Sequence, residues 1–185
     1  FQHYSPKNAI LSITANLSFP TIEKMSEKWF SPIESRNTIL RSLPKEPLQK
    51  KKRELWVERD VPNDAIYIAF HMDARMGRNY HCADLISDLL SRGKSARFYS
   101  RLIKENPKFI DLSAFVMGSL DEGLFVIAGK PVKGISLQEA YQLIRQELNC
   151  LCEDSISKRE LDKVKNKIHS SLTFQEISNL NKAMS

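Results

Sequence analysis

The chain has 185 residues, of which 42% are hydrophobic and 27% are charged, and these values are ordinary for one globular domain with its own core. No apolar run approaches the roughly 18 residues that a membrane-spanning helix needs, and no signal peptide opens the chain, so we expect no membrane span. Three cysteines, an odd number, argue against a disulfide framework and do not indicate a cellular compartment.

The net charge of +6 and the pI of about 9.2 raise nucleic acid as a possible partner. Much of the excess lies in Lys50-Lys51-Lys52-Arg53, which follows two prolines and has no aromatic residue before Trp56. Nucleic-acid binding would need a basic face on a recognised module, and none is apparent. The sequence therefore favours a solvated linker over a stand-alone basic binding domain.

The first third of the chain predicts two strands and a helix. Residues 9–15 are β-rich and alternate in polarity, which is typical of a strand with one covered face. A helix is expected from Pro20 to Phe30, because proline is tolerated in a first turn. Residues 31–53 are expected to form a long exposed connection, and residues 55–58 a short edge strand. The inner side chains predicted for the helix are Ile22, Met25, Trp29 and Phe30.

The stretch Tyr80–Glu105 predicts two helices that meet at Arg92-Gly93-Lys94-Ser95. In the first helix Leu85, Ile86, Leu89 and Leu90 share one stripe, with Asp84 and Asp88 on the opposite face. Gly93 can end this helix in the left-handed conformation, and Ser95 can cap the next one, Ala96 to Glu105. A phosphate-binding loop would need a glycine where Asp88 stands and a strand before it, so nucleotide binding is not expected.

The remaining elements complete an α+β pattern. Residues 65–71, 110–118 and 124–130 alternate as strands, and the last two are joined by a glycine-containing hairpin loop. Ser136–Glu139 and Ser157–Glu160 are capping boxes that each begin a helix. The order of elements predicts one mostly antiparallel sheet with helices packed on one face.

The sequence contains no recognisable metal site. None of the four histidines, His3, His71, His81 and His169, has another within helical reach with a glutamate between them. Cys150-x-Cys152 has the wrong spacing for a zinc knuckle. Asp121 and Glu122 are neighbours on an exposed loop and are expected to point apart, so acid–base catalysis by this pair is not predicted.

Several motifs occur in an order that resembles the zinc peptidases of the insulinase and pitrilysin type, which include the mitochondrial processing peptidases. The central motif consists of Gly93, Ser95, Arg97, Tyr99, Arg101 and Leu102. The others are Tyr4-Ser5-Pro6-Lys7-Asn8-Ala9-Ile10 before a strand, Trp29-Phe30 at the end of a helix, Asp121-Glu122-Gly123-Leu124-Phe125 between two strands, and Ile156-Ser157 with Glu160-Leu161 and Lys165.

The resemblance implies repeated α/β domains that form two halves around a chamber. One half binds zinc through an H-x-x-E-H helix, and the other supplies an arginine and a tyrosine, seven residues apart, that hold the peptide substrate. Alignment on the central motif puts the arginine position at Ile103 and the tyrosine position at Ile110, so both contact positions are expected to be degenerate. Gly93, Ser95, Arg97, Tyr99 and Leu102 are expected to be structural.

We therefore expect residues 1–185 to form a single domain that does not bind zinc, excised from a longer chain and truncated at both ends. It would be the inactive domain of one peptidase half, with zinc held elsewhere in the parent protein. The expected partners are the other domains of that chain, a second peptidase half and a peptide substrate. The alternative is a degenerate, non-catalytic partner subunit or interaction module of the same fold.

Overall fold

The structure is a computed structural model that describes residues 4–35 and 44–185. Its strands are β1 (Ile66–Met72), β2 (Phe109–Met117) and β3 (Gly123–Pro131). Its helices are α1 (Phe19–Phe30), α2 (Arg78–Ser91), α3 (Leu137–Glu153), α4 (Lys158–Gln175) and α5 (Asn179–Met184), together with a 3-10 turn at Pro6–Asn8 and a π-helical segment at Tyr99–Glu105.

The chain divides into two compact units. Unit 1 covers Phe1–Val57 and Ser170–Ser185, and unit 2 covers Glu58–His169. Unit 2 contains the sheet, whose strand order is β1-β3-β2 with both pairs antiparallel. The predicted α+β class with a mostly antiparallel sheet is confirmed.

One face of this sheet carries the core of unit 2. Helix α2 packs against β1 and β2, the π-helical segment packs against β2, and α3 packs against β1. The apolar stripes of these helices meet the inward side chains of the strands, and burial of this surface is the main force that holds the unit together. The core comprises Leu90, Phe98, Leu102, Phe109, Leu112, Ala114, Ile127, Ala140 and Ile144.

A serine caps each of the two predicted helix starts, and the full capping box forms at α4. Ser136 Oγ accepts from the Glu139 amide at 3.1 Å, at the start of α3. At the start of α4 the exchange is reciprocal: Ser157 Oγ accepts from the Glu160 amide at 3.2 Å, and Glu160 Oε2 accepts from the Ser157 amide at 3.1 Å. These side chains satisfy amide groups that have no partner within the helix.

The prediction for the first helix of the central pair is partly wrong. The sequence pattern predicts Asp88 on the outer face, but Asp88 is buried and accepts a hydrogen bond from Arg92 NH1 at 3.1 Å. Burial, and then the neighbouring charge of Asp88, raises the pKa of Asp84. The periodicity failed here because an i,i+4 arginine can neutralise a buried carboxylate, which polarity alone does not reveal.

Predictions in unit 1 are less successful. Residues 9–15 and 55–58 form no strand, because neither segment hydrogen-bonds to a neighbouring strand, and a strand needs such pairing. Helix α1 forms, but none of its residues is buried, and the predicted inner residues Met25, Trp29 and Phe30 are exposed. The predicted connection 31–53 lies partly outside the described residues.

Candidate functional site

The turn between α2 and the π-helical segment is built on a glycine and two lysines. Gly93 has a φ of 95°, in the left-handed region that glycine adopts without steric cost. Lys163 Nζ, on α4, donates to Ser95 Oγ at 3.0 Å and to the Ser95 carbonyl at 3.2 Å. Lys167 Nζ, one turn later, donates to the Arg92 carbonyl at 3.4 Å. Among the described residues no backbone amide donates to Ser95 Oγ, so the predicted helix cap by Ser95 is wrong.

Arg97 joins this turn to the start of α4. Its Nε donates to Glu160 Oε1 at 2.9 Å and its NH2 donates to Glu160 Oε2 at 3.2 Å, so the pair is bidentate. Ser157 Oγ donates to the same carboxylate at 2.9 Å. The Arg97 guanidinium is almost fully buried, and within the described residues its NH1 has no hydrogen-bond partner.

This network shifts the pKa of both charged groups. The hydrogen bond from Arg97 is the largest cause that lowers the pKa of Glu160 to about 2, and the bonds from Ser157 act in the same direction. The hydrogen bond to Glu160 raises the pKa of Arg97 above its ordinary value. Both groups are therefore charged at neutral pH, and the arrangement suits a structural clamp better than proton transfer.

The other motif residues also lie in the packing between helices. Leu102 is buried in the core and Tyr99 is half-buried. Arg101 NH1 donates to Glu147 Oε2 at 2.9 Å, which ties the π-helical segment to α3. Lys108 reaches Glu139 at 3.4 Å at the other end of that segment.

The two positions aligned with the substrate-binding pair lie in different environments. Ile103 is in the π-helical segment and packs partly buried against the core. Ile110 is 55% exposed and occupies a β-bulge, since the pairing of β2 with β3 shifts between Phe109 and Asp111. A bulge leaves one residue unpaired and re-aims its side chain. Neither isoleucine side chain can donate a hydrogen bond to a peptide carbonyl.

The donor groups present do not fit a zinc ion. Residues 4–35 and 44–185 contain no group of three or more His, Cys, Asp or Glu side chains that could hold a metal. His71 is the last residue but one of β1, His81 packs edge-on against Tyr80 at the start of α2, and His169 lies in α4. His3 lies outside the described residues.

The sheet has a second face, opposite the helices, that is largely apolar. The register of the strands shows which side chains share this face. They are Tyr67, Ala69 and His71 of β1, their partners Ala128, Val126 and Leu124 of β3, and Ser113, Phe115 and Met117 of β2. Tyr67, Phe115 and Met117 are exposed on it. We call this surface the outer sheet face.

These features define the class of domain to which the chain belongs. It is an α+β domain with an outer sheet face and a helix layer held by ion pairs, and the described part of the chain has no metal-binding group. A profile described as "Peptidase M16 inactive domain" matches residues 1–168. The chain belongs to this family, as the sequence resemblance predicted.

Individual relatives agree with this assignment. The chain is 28% identical over 171 residues to the zinc protease PqqE of Helicobacter pylori, covering 88% of this chain and 37% of that protein. It superposes on the crystal structure of a protease from Helicobacter pylori with a TM-score of 0.83, at 22% identity, over 91% of this chain and 41% of that one.

More distant structures share the fold alone. A peptidase M16 inactive domain from Pseudomonas fluorescens gives a TM-score of 0.67 at 15% identity, over 84% of this chain and 37% of that one. A chain of complex III2 from Candida albicans gives 0.56 at 17% identity, over 69% of this chain and 32% of that one. The chain spans less than half the length of each of these relatives.

No helix among the described residues is both long enough and apolar enough to span a membrane.

The sequence predicted the motif residues but not three features of the site. These are the lysine contacts to the turn, the bulge at Ile110, and the bidentate pair between Arg97 and Glu160. Arg97 and Glu160 each lie in a motif that the sequence reveals. Of the three features, their pairing could therefore most easily have been predicted from the sequence.

Proposed function

We propose that this chain is the non-zinc domain of a zinc metalloendopeptidase and forms part of the wall of its peptide-binding chamber. Hydrolysis is carried out by an upstream domain with an H-x-x-E-H helix that holds the zinc ion. The family assignment supports the domain type, and the similarity to a protein named zinc protease supports the activity of the parent.

The observation that carries the proposal is the chemistry of the two substrate-contact positions. Ile103 and Ile110 offer only aliphatic surface, so this domain contributes packing and shape where a substrate-gripping domain has an arginine and a tyrosine. A domain in the zinc-bearing half does not need that pair, because the second half supplies it. The domain therefore works with the other domains of its own chain and with a second peptidase half.

The outer sheet face is the surface we assign to the chamber. It lies opposite the helix layer, and it exposes aromatic and aliphatic side chains with few charges. Such a surface can contact an extended peptide without a fixed sequence preference, because dispersion and apolar burial are not directional.

Photo-crosslinking tests this assignment. A benzophenone amino acid is placed at Phe115 on the outer sheet face of the intact parent protein, and in a matched variant at Gln142, which is exposed on α3. We expect an unstructured peptide substrate to crosslink to the Phe115 variant and not to the Gln142 variant. Crosslinking only at Gln142, or at neither position in a parent that cleaves the peptide, would overturn the chamber assignment.

The alternative is a degenerate partner subunit that has lost catalysis and stabilises or presents substrate to an active subunit. The same two isoleucines favour it, since a half without zinc would otherwise need the arginine and tyrosine. It predicts no H-x-x-E-H motif upstream in the parent gene. Finding that motif would eliminate the alternative.

A further inference from the structure

Four basic side chains cluster where α2 ends and α4 passes. They are Arg92 and Lys94 in the turn and Lys163 and Lys167 on α4, and we call them the basic turn. The two α4 lysines are held in place by the carbonyl groups of Ser95 and Arg92. An ammonium group has three donors, so each lysine keeps hydrogen atoms for a further acceptor.

Nearby carboxylates neutralise only part of this charge. Asp88 pairs with Arg92 at 3.1 Å, Asp84 is close enough to Arg92 for their charges to interact, and Glu160 is occupied by Arg97. Lys94 is exposed and has no hydrogen bond or ion pair with any residue in the described part of the chain. Basic and acidic residues are nearly balanced over unit 2 as a whole, so the excess positive charge is a local property of this turn.

An apolar depression lies between the same two helices. It has a volume of about 30 Å³, which is room for the end of one aliphatic side chain. Ile156, on its rim, is 39% exposed. The depression is lined by Leu85, Ile86 and Leu89 of α2, by Leu161 and Val164 of α4, and by Ile156, which precedes α4. Leu89 lies one turn before Gly93, and Val164 follows Lys163 in α4, so the depression lies close to the basic turn along both helices.

We propose that this surface docks an acidic segment of a partner protein, with one aliphatic side chain in the depression and adjacent carboxylates over the basic turn. Charge complementarity selects the acidic segment, and the depression selects an apolar anchor beside it. No aromatic side chain lines the depression on which a base could stack, and the cations occupy one short turn and not a long track. A protein segment therefore fits better than a nucleic acid.

Fluorescence anisotropy of the 185-residue chain tests the proposal. The probe is a short labelled peptide of glutamates with one central leucine, compared with a version that has glutamine in place of glutamate. We expect saturable, salt-sensitive binding of the acidic peptide alone. The variant Lys94→Glu should bind it about tenfold more weakly, because one attraction becomes a repulsion. Circular dichroism checks that the variant is folded.

Two further variants separate docking from general attraction to a basic protein. Lys133→Glu makes the same charge change at an exposed lysine in the turn after β3, and it should leave the affinity unchanged within about twofold. Ile156→Ser should lower the affinity for the peptide with the central leucine. It should not change the affinity for a peptide that has glycine in place of that leucine. The proposal is overturned by absence of binding at low salt, by equal losses for Lys94→Glu and Lys133→Glu, or by tighter binding of single-stranded DNA.

Discussion

Arg97 and Glu160, which are 63 residues apart in the sequence, form a bidentate ion pair with Nε to Oε1 at 2.9 Å. The same glutamate closes the capping box of α4 through Ser157, so one carboxylate fixes both the start of a helix and the turn before another. A buried guanidinium without this carboxylate would be an uncompensated charge. The pair therefore adds to the stability of the helix layer.

The first prediction concerns the loss of Glu160. Glu160→Gln removes the charge that compensates Arg97. Because Arg97 is buried but Glu160 is partly exposed, we expect the free energy of unfolding to fall by about 1–3 kcal/mol, less than for a fully buried pair. Urea denaturation measures it. The control is Glu105→Gln, at an exposed glutamate that ends the π-helical segment, where a change within about 0.5 kcal/mol is expected. Similar losses in both variants would show that the pair is unimportant.

The second prediction is the pH dependence of stability. Because the folded state lowers the pKa of Glu160 from an ordinary 4.5 to about 2, the stabilisation is complete above the ordinary value and is lost as the pH falls towards 2. The free energy of unfolding, measured in urea across that window, should fall more steeply for the natural chain than for Glu160→Gln. Parallel curves for the two proteins would contradict the assigned shift.

Much of unit 2 follows from the sequence because its signals are local. The alternation in 110–118 and 124–130, the glycine at position 93 and the two capping boxes each predict their element to within one or two residues. The side chains that decide these features are close in sequence to the backbone groups they satisfy.

The features that were missed depend on contacts distant in sequence. Lys163 and Lys167 look like solvent-facing residues of α4, and only the fold shows that they reach the turn at 92–95. The strand predicted at 9–15 has the right composition, but pairing with another strand cannot be read from composition. The π-helical form of Tyr99–Glu105 likewise has no local signal that distinguishes it from an ordinary helix.

The third prediction concerns the backbone of the turn. Gly93→Ala places a Cβ on a residue with a φ of 95°, which should cost about 1–2 kcal/mol of stability. Gly93→Asn should cost less, because asparagine tolerates this conformation better. The nearest atom to the new Cβ is Lys167 Nζ, at 3.8 Å, which is an ordinary contact distance. The loss of stability would therefore come from the backbone conformation and not from a steric clash. Equal stability of Gly93→Ala and the natural chain, measured by thermal unfolding, would contradict the left-handed turn.

The fourth prediction concerns close packing of the sheet under the helices. A Cβ on Gly129 of β3 would lie 2.8 Å from Leu112 Cδ1 and 3.1 Å from Phe109 Cε1. Gly129→Ala should therefore destabilise the protein by about 1–3 kcal/mol through overpacking. The double variant Gly129→Ala with Leu112→Val should lose less stability than the sum of the losses measured for the two single variants. Strict additivity in urea denaturation would show that the two side chains do not compete for space.

The central claim is that this domain belongs to a zinc peptidase without holding the zinc itself. The most direct measurement is the zinc content of the intact natural gene product, together with cleavage of an unstructured peptide with and without a chelator. The 185-residue chain is measured beside it. We expect about one zinc per intact chain, cleavage that the chelator abolishes, and neither zinc nor cleavage for the 185-residue chain. An intact protein without zinc or cleavage would contradict this expectation and would make the chain a degenerate partner of an active subunit.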